Sequence, residues 1–323
     1  MKAKQTNFVS IDIGSSKIAA VAAHIEKSGN TQITGQNLHY SDGVKSSVIT
    51  DLNQAKNSIL QAVYSLEQDC DTNINQAMVS LSGYGTKSYF LDGMIKISNP
   101  NVTQSDVQKL IQKTLEGFNV PAMDVIHYFP IEFILASGDM VEDPVGMITS
   151  ELGCRLHLIA SSSDMLANLA NCLSKCQIDM SGVVLGIYAA GVVCLTEDEK
   201  NLGSLIIDFG ARTTSYGIFL QGKMVYSGWV PIGGWHITSD LAKAFSITFS
   251  SAEKLKILYG SATEIPTSLS NVINIEDVDG NEINITSADL SFVIGPRINE
   301  IMDLLKVEYD KIDIDSLISR RIV

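Results

Sequence analysis

A long-period repeat constrains this chain more than any other feature of its sequence. Phe8–Val21 (FVSIDIGSSKIAAV) lines up with Ser204–Gly217 (SLIIDFGARTTSYG), so that Asp12 matches Asp208 and Gly14 matches Gly210 at one constant offset. Each copy reads as an apolar strand, then Asp-x-Gly with small or polar residues, then a second apolar strand. A turn follows in both, Lys27–Asn30 and Gln221–Lys223, and then another β-like run, Thr31–Gly35 and Met224–Trp229. Two matching hairpin starts, one in each half, imply a duplicated α/β unit.

The rest of the composition bounds what such a duplicated fold can do. At 323 residues the chain has length for about two domains. With 23 Lys+Arg against 36 Asp+Glu its net charge is −13, which repels phosphate backbones and anionic lipid heads and disfavours nucleic-acid binding or a basic membrane patch. Apolar residues make up 45% and charged ones 18%, as in a globular core. The longest uncharged stretch, Met180–Thr196, is broken by glycines and shorter than the ~20 residues that cross a bilayer. The N-terminus is basic but lacks a secretory apolar region. Five scattered cysteines, odd in number, suit reduced thiols in cytosol. Cys172 and Cys176 share a helical face, yet no neighbouring His or Cys completes a metal set, so they read as core residues.

Between the copies, Asp51–Leu66 has the apolar spacing of an amphipathic helix, and Ala77–Leu81 reads as a strand ending at Ser82-Gly83. Tyr84–His157 reads as a separate small α+β unit. It has strands at Tyr89–Ile97, Val125–Leu135 and Arg155–Ala160, and a helix opened by the capping box Thr103-Gln-Ser-Asp106. Ser163–Cys176 reads as a helix and Gly182–Tyr188 as a buried strand. In the second half, Thr238–Phe245, Ser251–Tyr259 and Phe292–Tyr309 read as helices, with a strand region at Val272–Ile285. The chain finishes on Arg320-Arg-Ile-Val323, an apolar strand with no evident partner.

An aspartate at the end of a buried strand, followed by a small turn, suits a Mg-bound polyphosphate: backbone N–H groups approach phosphate oxygens while the carboxylate holds the metal. Asp12, Gly14, Ser15, Ser16 and Lys17 fit this, as do Asp208, Gly210, Thr213 and Thr214. A turn-capping aspartate explains one such motif; two in the same context favour a clamp that holds phosphates from both sides. Gly233-Gly234 ahead of a helix could bring backbone close to a nucleotide, or be a flexible turn. Glu253 and Lys256, at i and i+3, could grip a ribose or form an exposed ion pair. Trp229 and Trp235 read as packing residues.

These motifs resemble the actin/Hsp70/hexokinase ATPase superfamily and, within it, the bacterial cell-division protein family FtsA. Asp12–Lys17 looks like its first phosphate motif, and Asp208-Phe-Gly210 stands where the second belongs. Leu195-Thr-Glu-Asp-Glu-Lys-Asn-Leu-Gly203 resembles the run that joins the family's two halves. Pro231-Ile-Gly-Gly234, Thr238-Ser-Asp240 and Ser251-Ala-Glu253 with Lys256 match its nucleotide-edge helices. The resemblance implies an α/β, actin-like ATPase fold of two duplicated ribonuclease H-like halves, with an inserted α+β subdomain of the 1C or SHS2 type. Its subdomains would be 1–83 with 158–196 (1A), 84–157 (1C), 197–230 with 302–323 (2A) and 231–301 (2B).

By the same resemblance the chain binds ATP and Mg2+, with Asp12 and Asp208 positioning the metal through water, and with weak or no hydrolysis. Its implied partners are further copies of itself in a head-to-tail polymer, the C-terminal peptide of the tubulin-like protein FtsZ, and other divisome proteins through 84–157. Arg297, Asn299 and Glu300, expected at the start of the Phe292 helix, fall in the region implied for the FtsZ peptide; they could equally solvate a helix start. The implied location is the cytoplasm, at the division-site membrane if anchored. The family's adenine-side Thr-Gly-Gly loop and membrane-docking helix lie beyond Ile322-Val323, so this chain is expected to lack both and to be less stable alone. The second motif also departs from the family's D-x-G-G-G-T: Ala211 puts a Cβ where backbone should approach phosphate, penalised further if φ must be positive, and Arg212 could pair with a phosphate oxygen or swing into the cleft and block it, so weakened nucleotide binding is expected. Alternatives are a PilM-like pilus-assembly relative, a sugar or acetate kinase of the superfamily, and a degenerate paralogue that binds no nucleotide.

Overall fold

The computed structural model describes residues 7–26, 28–312 and 322–323; the expectations on residues 1–6, Lys27 and Arg320-Arg321 lie outside them. The described residues form two compact units. One holds the residues up to Asp208, Ser215–Gly228 and the last two residues; the other holds Phe209–Thr214 and Trp229 to Ile312.

In the first unit, β1 (Asn7–Ile13), β2 (Lys17–Ile25) and β3 (Thr31–Tyr40) form an antiparallel meander. A small hairpin of β4 (Val44–Lys45) and β5 (Val48–Ile49) leads to α1 (Leu52–Cys70). Asp51 caps this helix by accepting the Asn53 and Gln54 amides, both at 3.0 Å. Its apolar face of Ala55, Ile59, Ala62, Val63 and Leu66 is buried, and the helix runs a turn past the expected end. The strand β6 (Gln76–Leu81) then adds parallel to β1.

The chain next builds its inserted unit: β7 (Thr86–Lys96), α2 (Gln104–Glu116), β8 (Met123–Leu135), β9 (Met140–Val141) and β10 (Glu151–Ser162). The strands order as β7-β10-β8-β9. The expected capping box is present, with Thr103 and Asp106 bonding each other's backbone. Helix α2 lies against Gly93, where a Cβ would stand 1.8 Å from Thr114 Oγ1; Leu110, Phe133, Leu152 and Leu156 fill the core.

After α3 (Ser163–Ser174), β11 (Asp179–Leu185) completes a five-stranded sheet in the order β11-β6-β1-β2-β3. The expected strand Gly182–Tyr188 stops at Leu185, and Gly186–Cys194 is a helix, α4. The run is apolar on all sides, so periodicity could not separate buried strand from buried helix. The short helix α5 (Glu197–Leu202) is opened by a reciprocal capping box of Thr196 and Glu199. The second repeat copy follows as β12 (Ser204–Phe209), β13 (Thr214–Leu220) and β14 (Lys223–Val230), a three-stranded sheet in that order. Its expected turn holds Gln221 and Gly222 at φ 51° and 74°, the left-handed pair of a type I′ hairpin. Ile322 bridges Leu205 in parallel, with Val323 N to Leu205 O at 2.8 Å. That partner corrects the expectation of an unpaired ending; it stands on β12 as β6 stands on β1.

Buried His157 of β10 ties the inserted sheet to β14. Its Nδ1 lies 2.9 Å from the Met224 carbonyl, an acceptor only, so Nδ1 carries the proton. Its Nε2 lies 2.9 Å from Ser88 Oγ, which also reaches the Ser227 carbonyl at 2.9 Å. The ring stacks with Phe90, Phe129 and Tyr226.

The second unit comprises α6 (Gly234–Ala244), α7 (Phe249–Tyr259), the antiparallel pair β15 (Val272–Glu276) and β16 (Glu282–Thr286), and α8 (Ser287–Tyr309). Ile237, Leu241, Leu255, Ile285, Leu290 and Ile294 form its core. Helix α8 starts five residues before Phe292, because Thr286 and Asp289 make a capping box that the sequence reading passed over. Pro296 lies inside this helix. Arg297, Asn299 and Glu300 therefore stand in mid-helix and not at its start.

Burial pushes the His157 imidazole down to about 4, partly opposed by the Met224 carbonyl. The unfolded chain titrates near the ordinary value of 6.5, so it takes up a proton first as pH falls. The neutral ring's stabilising effect is complete above about pH 6.5 and is lost on descent toward pH 4, at up to about 1.4 kcal/mol per pH unit. Urea unfolding across this window should show a slope in the wild type that His157→Gln largely removes; equal slopes would refute the assignment.

Candidate functional site

The two repeat copies make the same turn. Asp12 lies opposite Ala19 of β2 and, in parallel register, Ser80 of β6. After it Gly14 N donates to Lys17 O at 3.1 Å, and a Cβ on Gly14 would sit 2.8 Å from that oxygen. In the second copy a Cβ on Gly210 would sit 2.7 Å from Thr213 O. Close approach of backbone, not a left-handed φ, requires glycine at both positions. Ser15 Oγ accepts the Ser46 amide at 2.6 Å, and Ser16 O accepts the Ser41 amide at 3.1 Å. Ser46 and Ser47, at φ 50° and 60°, form the left-handed tip of the β4–β5 hairpin. Ser47 Oγ donates to Ser82 Oγ at 2.6 Å, beyond the end of β6. The first turn is thus braced by a hairpin whose serines the sequence reading did not single out.

Asp12 and Asp208, both in the first unit, are open to solvent yet hemmed in by protein. The Asp12 carboxyl is raised above the ordinary carboxylate range, first by desolvation and further by the charge of Asp208; the Ser80 hydroxyl and Lys17 oppose this. Asp208 is raised by desolvation, so the repulsion registers at Asp12, the more crowded of the two. Two desolvated carboxylates that feel one another, with Lys17 as the cation acting on Asp12, suit a divalent cation. Ser80 had no local signal, because it meets Asp12 only through the parallel register.

The second turn is bolted to the start of α6. Gly234 N donates to Gly210 O at 3.0 Å and Trp235 N to Ala211 O at 2.7 Å. A Cβ on Gly233 would stand 2.4 Å from Gly210 O. Gly233 N itself faces His236 Nδ1 at 3.1 Å. These glycines serve backbone docking, with their amides already bonded within the unit. Ala211 has no left-handed φ, so the backbone penalty considered for it does not arise. Arg212 lays its guanidinium over Trp235, 4.1 Å from the ring centroid.

Glu253 and Lys256 are not a simple surface pair. Lys256 Nζ donates to Gly234 O at 3.1 Å, Thr238 Oγ1 at 2.9 Å and Glu253 Oε2 at 2.8 Å. Buried Thr238 closes the network to Glu253 at 2.5 Å. Elsewhere on the unit, Arg297 Nε donates to Asp240 at 2.6 Å, and its guanidinium also bonds Glu300. Both line a groove of about 530 Å³ with Phe292 and Pro296, whereas exposed Asn299 does not. Among the described residues no cluster of three or more His, Cys, Asp or Glu forms a metal centre, and no helix is long and apolar enough to cross a membrane.

Solved structures place this architecture in a class. A PilM–PilN type IV pilus biogenesis complex aligns with a TM-score of 0.63 at 14% identity, over 96% of this chain and 79% of that one. MreB 5 of Spiroplasma citri bound to AMPPNP aligns at 0.54 with 17% identity, over 95% and 80%. The fold is the α/β actin-like ATPase fold. By sequence, the family described as cell division protein FtsA matches residues 205–312, and the SHS2 domain inserted in FtsA matches 83–160. The cell division protein FtsA of Neisseria meningitidis serogroup B is 30% identical over 311 residues, covering 95% of this chain and 75% of that protein. That of Pseudomonas aeruginosa is 26% identical over 317 residues, covering 98% and 76%. The chain belongs to the FtsA family of cell division proteins.

Because Gly233 meets Gly210 O so closely while a Cβ on Gly234 would meet Lys256 Nζ only at 3.4 Å, the two should respond differently to alanine. Gly233→Ala should cost about 1–3 kcal/mol by overpacking, read by urea unfolding. Gly234→Ala should cost clearly less, and equal losses would contradict this packing.

Proposed function

We propose that the chain is an ATP-Mg-binding, self-assembling cell-division scaffold that links FtsZ to the cytoplasmic face of the membrane at the division site. One observation carries the nucleotide part: the aspartates of the two repeat copies share one electrostatic environment, in which each is desolvated and Asp208 opposes ionisation of Asp12. In this reading both hold Mg2+ through water, and the metal neutralises phosphate charge. Gly14, Ser15, Ser16 and Lys17 bind phosphates from the first turn, Gly210 and Thr213 from the second. Gly233 and Gly234 shape the nucleotide edge, and Glu253 with Lys256 contacts the ribose. The four subdomains are those expected above, 1–83 with 158–196, 84–157, 197–230 with 302–323, and 231–301. MreB 5 of Spiroplasma citri, the structural neighbour bound to AMPPNP, is consistent with a nucleotide on this fold.

The FtsZ C-terminal peptide docks at the α8 groove in this reading. Arg297 and Glu300 offer charge there, and Phe292, 79% exposed, offers an apolar anchor. Self-assembly and further divisome contacts use the inserted unit.

Calorimetric titration with ATP-Mg tests the nucleotide part: the wild type should bind and Asp12→Ala should lose about tenfold or more in affinity. A wild type indifferent to millimolar ATP would end it. For the partner part, the FtsZ tail peptide should bind the wild type in fluorescence anisotropy and bind Phe292→Ala about tenfold more weakly; undiminished binding would move the peptide elsewhere.

A further inference from the structure

The geometry points to Arg212, held flat on Trp235, as a polyphosphate-binding residue of the second turn, one that replaces a backbone contact with a preorganised cation and makes ligand binding readable at the indole. The inference rests on the nucleotide reading of this site and adds to it a residue that reading does not use.

Four observations carry it. Arg212 lies within the turn bounded by Gly210 and Thr213, and its guanidinium carbon is 4.1 Å from the Trp235 centroid. The backbone that carries the stacking partner is tied to the turn, because Trp235 N is bonded to Ala211 O and Gly234 N to Gly210 O. The indole side chain itself is flanked by His236, edge-on at 5.4 Å, and by Phe249, tilted at 5.6 Å. Among the described residues no carboxylate forms an ion pair with Arg212, although acidic residues outnumber basic ones 36 to 23.

Stacking uses the face of the guanidinium and leaves its in-plane N–H fork for an anion. A side chain fixed on a ring loses less rotamer entropy when a phosphate arrives. The backbone amides at the start of α6 are bonded internally to the second turn. A cationic fork therefore supplies the donors that backbone would otherwise provide. Its contact is electrostatic, so it favours the more highly charged ligand: a triphosphate over a diphosphate.

The test compares wild type, Arg212→Ala, Arg212→Lys and Trp235→Phe in the full chain, with ATP-Mg, ADP-Mg and tripolyphosphate as probes. Affinity is read by calorimetry, and indole emission is followed in the proteins that keep Trp235, with Trp235→Phe giving the background from Trp229. Arg212→Ala should weaken ATP binding by about 10- to 100-fold and ADP binding by less. Arg212→Lys should fall between, because it keeps charge but loses the fork. Trp235→Phe keeps a weaker stacking face and should weaken ATP binding only slightly. Wild-type emission should change on ATP binding, and the change should be smaller in Arg212→Ala. ATP affinity in Arg212→Ala equal to or tighter than wild type, with intact unfolding behaviour, overturns the inference. Binding of tripolyphosphate but not ATP, lost in Arg212→Ala, supports Arg212 and ends the nucleotide reading. A wild type that binds none of the three probes overturns both.

Discussion

Like charges that act on one another in partly desolvated surroundings cost a protein stability unless something offsets them. Asp12 and Asp208 are such a pair, and the structure around them is built to keep them in place. Each ends the first strand of a repeat copy, and each precedes a turn so tight that a Cβ on its glycine would collide with a carbonyl three residues on. The Ser80 hydroxyl and Lys17 relieve part of the strain at Asp12. A site that is costly when empty gains most from a bound cation.

The supports of the two turns differ, although the turns themselves match. The first leans on a serine-tipped hairpin, with Ser15 receiving the Ser46 amide and Ser47 reaching Ser82. Ser46 and Ser47 both adopt left-handed backbone, a conformation that costs roughly 1–2 kcal/mol per non-glycine residue. The second turn leans on α6, through paired backbone bonds that only Gly233 can approach closely enough to permit. Duplication therefore conserved the turn's shape while its bracing diverged. Arg212 and Trp235 belong to this second arrangement.

Much of the fold was legible because the repeat, the capping box at Thr103 and the alternating strands are local patterns. Where reading failed, the cause was physical. Gly186–Cys194 is apolar on every side, and a strand and a buried helix look alike in such a run. Helix α8 begins before the apolar run at Phe292 because Thr286 and Asp289 cap it a turn and a half earlier, in a polar segment without helical apolar spacing. Glu253 and Lys256 were visible as a pair at helical spacing, yet their link to Thr238 and Gly234 joins two helices and has no mark in either alone.

The sequence by itself determined the duplicated strand–turn–strand units, the placement of both aspartates and the separate character of the inserted α+β unit. All of these are set by short-range spacing and side-chain chemistry. Only the tertiary structure decided that Ser80 faces Asp12, that Asp208 acts on Asp12's charge, that His157 joins the inserted sheet to β14, and that Arg212 lies on Trp235. Each of those contacts depends on strand register or on the docking of segments far apart in the chain, and such pairings are chosen by the packing of the whole core.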